Sequence, residues 1–240
     1  MIKKIIRNIL IKIIKIIFRK EILFYENTKK IIKKKKNKKI VIEVGANKGT
    51  DTQKFLEEGY TVYCFEPTPE LIVILQNKFS VYKKQFFLIP LAVDTQNSFR
   101  EFNLAKHDDW GVSSFYKFSD NIVNKKEWSE RNDFYFDQSI NVMTIRLDTF
   151  LDLYNIKSQI SYLWIDTQGN DFRVLQSLGN KINKVKKGKC EASMKTKLYK
   201  GAKNDFKTIQ KFLIRNNFKT KIIADSKSEN ECDIHFEKNV

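Results

Sequence analysis

The sequence predicts an α/β fold, an open and mostly parallel β-sheet covered by helices on both faces. Three observations carry that expectation. Short β-branched or apolar runs alternate with stretches of helical periodicity, in the order βαβαβ after Lys39. Gly59 and Gly179 stand where helical stretches must close. The chain has 240 residues, 42% apolar and 13% aromatic, which suffices for one domain with a full core and argues against disorder or low-complexity repetition.

Taken in order, Lys39 to Val44 reads as the first strand, and a helix follows from Asp51 to Glu58 with Thr50 or Asp51 as its N-cap. Thr61 to Glu66 is the second strand, Glu70 to Phe79 the next helix after a proline turn, and Phe86 to Val93 the third strand. Ser98 to Leu104, Gly111 to Phe118 and Ile140 to Leu147 alternate like half-exposed strands, while Ser119 to Gln138 has no clear period. We read residues 98–147 as an insertion that shapes a substrate mouth. The parallel pattern resumes with a strand at Tyr162 to Asp166, a helix at Asp171 to Leu178 and a strand over Ile182 to Cys190. A helix over Asp205 to Asn216 and two strands, Lys219 to Ala224 and Cys232 to Phe236, complete the domain.

Charge divides the chain in two. The formal net charge is +17, of which Met1 to Lys39 hold +13, so the body is nearly balanced at +4. Basicity confined to an arm weakens nucleic acid as the default partner of the whole protein. Lys4, Asn8, Lys12, Lys15 and Arg19 fall on one stripe of a helix and leave a broad isoleucine face, which makes residues 1–39 a basic amphipathic arm. Lysines at positions 12 and 15 do not suit a transmembrane span, and no small-residue cleavage site follows. A helix at the membrane interface fits better, reinforced by the cluster Lys33 to Lys36; cover for the domain is the plainer alternative. Cys64, Cys190 and Cys232 lie far apart with no CxxC pair, as expected for a reducing, cytoplasmic setting, with or without peripheral membrane contact.

In an open parallel sheet, ligands bind beyond the strand C-termini where the strand order reverses. Glu43-x-Gly45-x-x-x-Gly49 ends the first strand, and its glycines allow a tight turn whose amides can hold an anionic group. Glu66 ends the second strand 21 residues after Gly45, where a carboxylate can accept hydrogen bonds from both hydroxyls of a ribose. A dinucleotide site would want glycine at position 47, which is Asn, so the spacing leans towards S-adenosylmethionine. The plainer alternative for Glu66 is a solvated strand-end acid.

Several blocks then occur together and in order: VIEVGANKGTDT, FEPTPE, LAVD at Leu91 to Asp94, GVSSF at Gly111 to Phe115, TIRLDTF, LWIDTQGNDFRVLQSLG, CEAS and LYKG. From Ile40 to Phe218 this pattern resembles the FkbM family of S-adenosylmethionine-dependent methyltransferases. The resemblance implies a Rossmann-like class I methyltransferase fold with a seven-stranded sheet, and methyl transfer commonly to a hydroxyl oxygen of a sugar or other metabolite. It assigns Glu43, Gly45, Ala46, Asn47 and Gly49 to the cofactor loop, Glu66 to the ribose, and Pro67 with Ala92 to Asp94 to the adenine. Asp94 also suits an ordinary strand-end turn. Ser113 and Ser114 are candidates for polar contacts near the cofactor. Asp166, Gln168 and Gly169 match the family's Asp-x-Glu/Gln-Gly block, whereas Asp171 replaces the more usual Glu.

Methyl transfer from a sulfonium needs alignment and, for a hydroxyl acceptor, removal of a proton. Asp166 and Glu191 are the candidates for orienting or deprotonating that hydroxyl; alternatively Asp166 holds only the cofactor amine and Glu191 is structural. His107 beside Asp108 and Asp109 reads as a solvated turn, so no metal site is expected. The mouth, Lys106 to Asp137, carries Trp110, Trp128, Phe134, Tyr135 and Phe136, which suit sugar rings and equally lid packing. The acceptor expected is a small molecule or glycan. An RNA methyltransferase is the lesser reading, because no Pro-Pro-aromatic block follows the fourth strand, and a non-catalytic interaction module is the third.

Overall fold

The computed structural model describes residues 39–105, 110–120, 135–195, 197–224 and 230–239. The arm before Lys39, His107–Asp109, Trp128 and Phe134 lie outside the described residues. A seven-stranded sheet is built from β1 (Ile40–Val44), β2 (Thr61–Phe65), β3 (Phe86–Ile89), β7 (Ile160–Ile165), β8 (Lys187–Ser193), β9 (Phe218–Ala224) and β10 (Glu231–Lys238), in the order β3-β2-β1-β7-β8-β10-β9. Strands β3, β2, β1, β7 and β8 are mutually parallel, and β10 pairs antiparallel with both β8 and β9. This is the mostly parallel class I methyltransferase architecture the resemblance implies.

Helices α1 (Thr50–Glu57), α2 (Pro69–Lys78), α3 (Leu147–Leu153), α4 (Asp171–Ser177) and α5 (Phe206–Arg215) cover both faces. Strand periodicity decides the partition. Ile40, Ile42 and Val44 point into the larger core with Phe150 of α3, Leu175 of α4 and Leu213 of α5. Val41, Val62 and Cys64 point the other way, against Leu56 of α1 and Leu75 of α2. β1 is therefore buried along its whole length, as a central parallel strand must be. Helix starts follow local chemistry: Pro69 occupies the first turn of α2, and the Asp205 carboxylate accepts from the Thr208 N–H at 2.9 Å to cap α5.

A second sheet, ordered β4-β6-β5, is formed by β4 (Ala92–Val93), β5 (Ser98–Ala105) and β6 (Phe136–Ile145). β5 and β6 form an antiparallel pair, while β4 runs parallel to β6. The expected single strand Phe86 to Val93 is thus two. Pro90, which has no N–H, follows β3, and the Leu91 N–H turns back to the Ile89 carbonyl at 2.8 Å, sending Ala92 and Val93 into the other sheet.

Other expectations also needed correction. Gly111 to Phe118 is not a strand: a 3₁₀ turn at Trp110–Val112 is followed by isolated bridges from Ser114 to Asn103 and from Phe118 to Tyr199. Ile182 precedes rather than begins its strand. It lies in a 3₁₀ segment, Gly179–Lys184, and is buried with Val185, the residue just past the segment and three positions on. α1 begins after Gly49, whose φ of 73° makes it the N-cap in place of Thr50 or Asp51. β6 starts inside the stretch that shows no period, and α3 is an additional helix.

Candidate functional site

The strand order reverses between β1 and β7, and the polar groups converge there. Gly45 follows β1 with φ +83°, and its N–H donates to the Phe65 carbonyl at 3.0 Å. A Cβ at this position would lie 1.8 Å from the Asp166 carbonyl oxygen, so the ends of β1 and β7 approach too closely for any other residue. Two residues on, Asn47 also adopts positive φ and directs its N–H to Glu66 Oε2 at 3.0 Å. The Thr68 N–H donates to Glu66 Oε1 at 2.9 Å. The turns after β1 and β2 therefore grip one carboxyl group between them. Burial raises the Glu66 pKa, opposed by the amides of Thr68 and Asn47.

Glu66 borders a cleft with about 620 Å³ of space among its lining atoms, partly open to solvent. One wall is apolar and includes Leu71, Leu91, Ala92, Phe102 and Phe115; the other end presents Asp166, Thr167, Gln168 and Asn170. Of the residues singled out from sequence, Gly45, Asn47, Glu66, Pro67, Ala92, Val93, Ser113, Asp166 and Gln168 line this cleft. Glu43, Ala46, Gly49, Asp94 and Glu191 are not among the lining residues. Ser114 supports the wall from behind, donating to the Gln168 carbonyl at 2.7 Å.

The residues outside the lining hold the frame. Glu43 is fully buried, accepts from Thr52 Oγ1 at 2.6 Å and so ties β1 to α1; burial pushes its pKa up to about 8. Gly49 packs where an added Cβ would strike Phe79 and Leu75, and Ala46 belongs to the core cluster on that face. Asp94 is an ion-pair hub that accepts from Arg100 at 2.7 Å and also from Arg173 and the Thr95 N–H. Burial alone would raise its pKa, but the Arg173 and Thr95 hydrogen bonds and the Arg100 charge hold it below the usual range. Arg100 in turn stacks 4.2 Å above the Phe115 ring, so the hub steadies the apolar wall.

Asp166 and Glu191 are neighbours across the Gln168 amide, whose Nε2 lies 2.7 Å from Asp166 Oδ1 and 3.4 Å from Glu191 Oε2. Both carboxyls are raised above their ordinary values by burial, Glu191 further by the Asp166 charge. Asp171, the residue that departs from the family pattern, is wholly buried and bonded. It accepts from Thr167 Oγ1 at 2.7 Å and from the Glu191 N–H at 2.9 Å, linking the loop after β7 to β8. Burial, and then the Asp166 charge, push its pKa up to about 7.

Sequence reasoning missed Phe102, Phe115 and Asn170 as lining residues. Asn170 donates to the Val93 carbonyl at 3.0 Å and so joins the two sheets at the cleft. The signal for Phe115 and Asn170 was their position inside the GVSSF and LWIDTQGN blocks. Phe102 had none beyond its place in an alternating strand.

A model of the methyltransferase FkbM domain matches residues 43–220, which is most of the chain. The chain belongs to the FkbM methyltransferase family. It is also similar to the 2-O-methyltransferase NoeI of Sinorhizobium fredii (strain NBRC 101917 / NGR234), with 25% identity over 142 residues. That match covers 57% of this chain and 56% of NoeI, so the chain spans about half the length of this relative. Among solved structures it is similar to an rRNA methylase from Streptococcus thermophilus, at 11% identity and a TM-score of 0.45, covering 93% of this chain and 96% of that one. It is likewise similar to TrmK of M. capricolum, at 11% identity and a TM-score of 0.43, covering 89% and 68%.

The cofactor that membership of the FkbM family implies is S-adenosylmethionine, and the cleft fits it. The Glu66 carboxyl is oriented by the Asn47 and Thr68 N–H groups and faces the cleft, where a hydroxyl can approach it. The apolar wall suits an adenine ring, and the Gly45 bend and Asp166 form a polar end for an amino acid group. Among the described residues no group of His, Cys, Asp or Glu is arranged to hold a metal ion.

The buried acids give a pH prediction. With folded pKa values of about 8 for Glu43 and about 7 for Asp171, the folded state keeps protons that the unfolded chain releases as pH rises above its ordinary carboxyl range. Stability contributed by these protonated carboxyls is therefore present in acid, falls between roughly pH 4 and 8, and levels off above that window. Glu43→Gln keeps an acceptor for Thr52 and removes one titration. Its loss of melting temperature between pH 5.5 and 8.5 is expected to be smaller than that of the unsubstituted protein by on the order of 5 °C. Equal losses would contradict the assignment.

Proposed function

We propose that this FkbM-family chain transfers a methyl group from S-adenosylmethionine to a hydroxyl oxygen of a sugar, glycan or other small hydroxyl-bearing acceptor. The observation that carries the reading is the half-buried Asp166 carboxyl at the polar end of the cleft, held by Gln168 at 2.7 Å. The 2-O-methyltransferase name of NoeI is consistent with oxygen as the acceptor atom.

When bound, the cofactor supplies a methyl group on a sulfonium that is already a good leaving group. What remains for the protein is binding, orientation and one proton. Glu66 accepts from the two ribose hydroxyls while Asn47 and Thr68 keep its carboxyl aimed. Pro67, Ala92, Phe102 and Phe115 enclose the base, and Ser113 adds a polar contact at the same wall. The Gly45 bend lets the chain approach the amino acid end. Asp166 orients the acceptor hydroxyl and takes up its proton as the oxygen attacks, with Glu191 behind it as the second carboxyl. Burial raises the Asp166 carboxyl above its ordinary value, which makes it a stronger proton acceptor.

The arm supports a second part of the reading, that residues 1–39 hold the protein at an anionic membrane surface. Their +13 charge and isoleucine face are the supporting observation. Among the described residues no helix is long and apolar enough to cross a membrane.

Two measurements check these proposals. In a screen with methyl-labelled cofactor against saccharide, glycolipid and RNA acceptors, label is expected on a saccharide hydroxyl. Asp166→Asn should lower that turnover by about 10²-fold or more, and Glu66→Ala should weaken S-adenosylhomocysteine binding by about tenfold or more in calorimetry. Label on RNA alone would favour the nucleic-acid reading, and full turnover by Asp166→Asn would remove the base. For the arm, replacing Lys33, Lys34, Lys35 and Lys36 with glutamine should lower binding to phosphatidylserine vesicles by at least about tenfold, at about 1 kcal/mol per lysine. Unchanged binding would count against the membrane role.

A further inference from the structure

The Gln168 side chain is held at both ends. Its amide nitrogen faces Asp166 Oδ1 at 2.7 Å and Glu191 Oε2 at 3.4 Å, while its amide oxygen receives the Tyr199 hydroxyl at 2.8 Å. A flipped amide would set its oxygen against two carboxyl groups, so the carboxyl pair favours the orientation in which the nitrogen faces it and the oxygen receives the phenol. The backbone is committed to the same end. Gln168 has φ +52° and Gly169 φ +94°, consecutive left-handed residues, and the Ser114 hydroxyl clamps the Gln168 carbonyl at 2.7 Å. A non-glycine residue in that region costs about 1 kcal/mol.

Tyr199 is equally fixed. It is buried, its ring stacks on Phe118 at 5.6 Å, and a Cβ at Gly169 would come within 3.0 Å of that ring. Its hydroxyl has a second acceptor in the Val112 carbonyl at 3.1 Å. Tyr199 is not among the cleft-lining residues; it meets the carboxyl pair through Gln168.

We infer that Gln168 and Tyr199 are positioning residues, the phenol orienting the amide so that its N–H donors are aimed at the cleft-lining Asp166 carboxyl and lie between it and Glu191. The consequence for catalysis rests on the hydroxyl-acceptor reading above; the fixed amide itself does not. Other charges face the pair from every packed element. Asp166 feels Lys189 of β8, Asp233 of β10 and Asp51 of α1; Glu191 feels Asp166, Glu231 and Asp233 of β10, and Asp171 of α4. Lys189 is itself paired with Asp233 at 2.7 Å, which leaves the Gln168 amide as the group bonded directly to Asp166. Donation to the charged form lowers a carboxyl pKa, so losing an aligned donor raises it.

The test is a carbon-13 NMR titration of side-chain carboxyls in the full chain, with the Asp166 resonance assigned by its disappearance in Asp166→Asn. Tyr199→Phe, which keeps the ring on Phe118, is expected to raise the Asp166 midpoint by about one unit, a tenfold gain in proton affinity. Its melting temperature should fall by a few degrees for the lost buried hydrogen bond, but a purely structural tyrosine would not move the Asp166 midpoint with it. Gln168→Leu should raise the midpoint at least as far, and it carries the test by itself should Tyr199→Phe fold poorly. A midpoint that stays put in Gln168→Leu overturns the inference, as does a shift in Tyr199→Phe that Gln168→Leu fails to reproduce. The titration needs neither methyl donor nor acceptor, so its failure leaves the proposed reaction standing, and a failed methyl transfer leaves the titration standing.

Discussion

The hydrogen bond from the Asn47 N–H to the Glu66 carboxylate is the contact on which the site depends. It joins the turn after β1 to the turn after β2, and with the Thr68 N–H it partners an acid that burial would otherwise disfavour. Gly45 turns with positive φ against the Asp166 carbonyl and donates to the Phe65 carbonyl, which brings the ends of β1, β2 and β7 together in one crevice and leads the chain into that bond. A side chain at position 45 would part β1 from β7 and move Asn47 with it. The Glu66 end and the Asp166 end of the cleft are thus fixed by the same few backbone atoms.

Around that contact the chain uses polar groups in two ways. Glu66 and Asp166 border open space, where a ligand can approach them. Glu43, Asp94 and Asp171 are bonded within the protein, to Thr52, to Arg100 and Arg173, and to Thr167 and the Glu191 amide. The second set binds strands to helices and steadies the walls, so that loops after β1, β2 and β7 present fixed groups instead of mobile ones. In this family member the shorter acid at position 171 still spans from Thr167 to the Glu191 backbone, which accounts for its toleration.

Much of this is legible in the amino-acid order. Buried parallel strands are near-continuous apolar runs, and a glycine bend followed 21 residues later by a strand-end acid has the spacing of a nucleoside pocket, so β1, β2, β7, Gly45 and Glu66 can be read directly. Departures arise where a local pattern serves a different tertiary end. Leu147, Phe150 and Leu151 recur at helical spacing, but over only seven residues next to a strand, so α3 escapes the periodicity. Ile182 resembles the start of a strand because it is apolar and close to one; only the three-residue step to Val185 betrays the 3₁₀ segment. Glu43 and Asp94 sit in motif blocks beside cleft residues, and sequence order cannot tell a strand's inward face from its cleft end. Tyr199 lies 31 residues from the amide it contacts, a proximity only the fold creates.

The decisive experiment is a crystal structure of the full chain with S-adenosylhomocysteine. Both ribose hydroxyls are expected within hydrogen-bonding distance of the Glu66 carboxyl, with the Asn47 N–H still bonded to that carboxyl and the amino acid end lying between Gly45 and Asp166. A ribose bound elsewhere, or a Glu66 side chain that leaves Asn47 to admit the ligand, would contradict this arrangement.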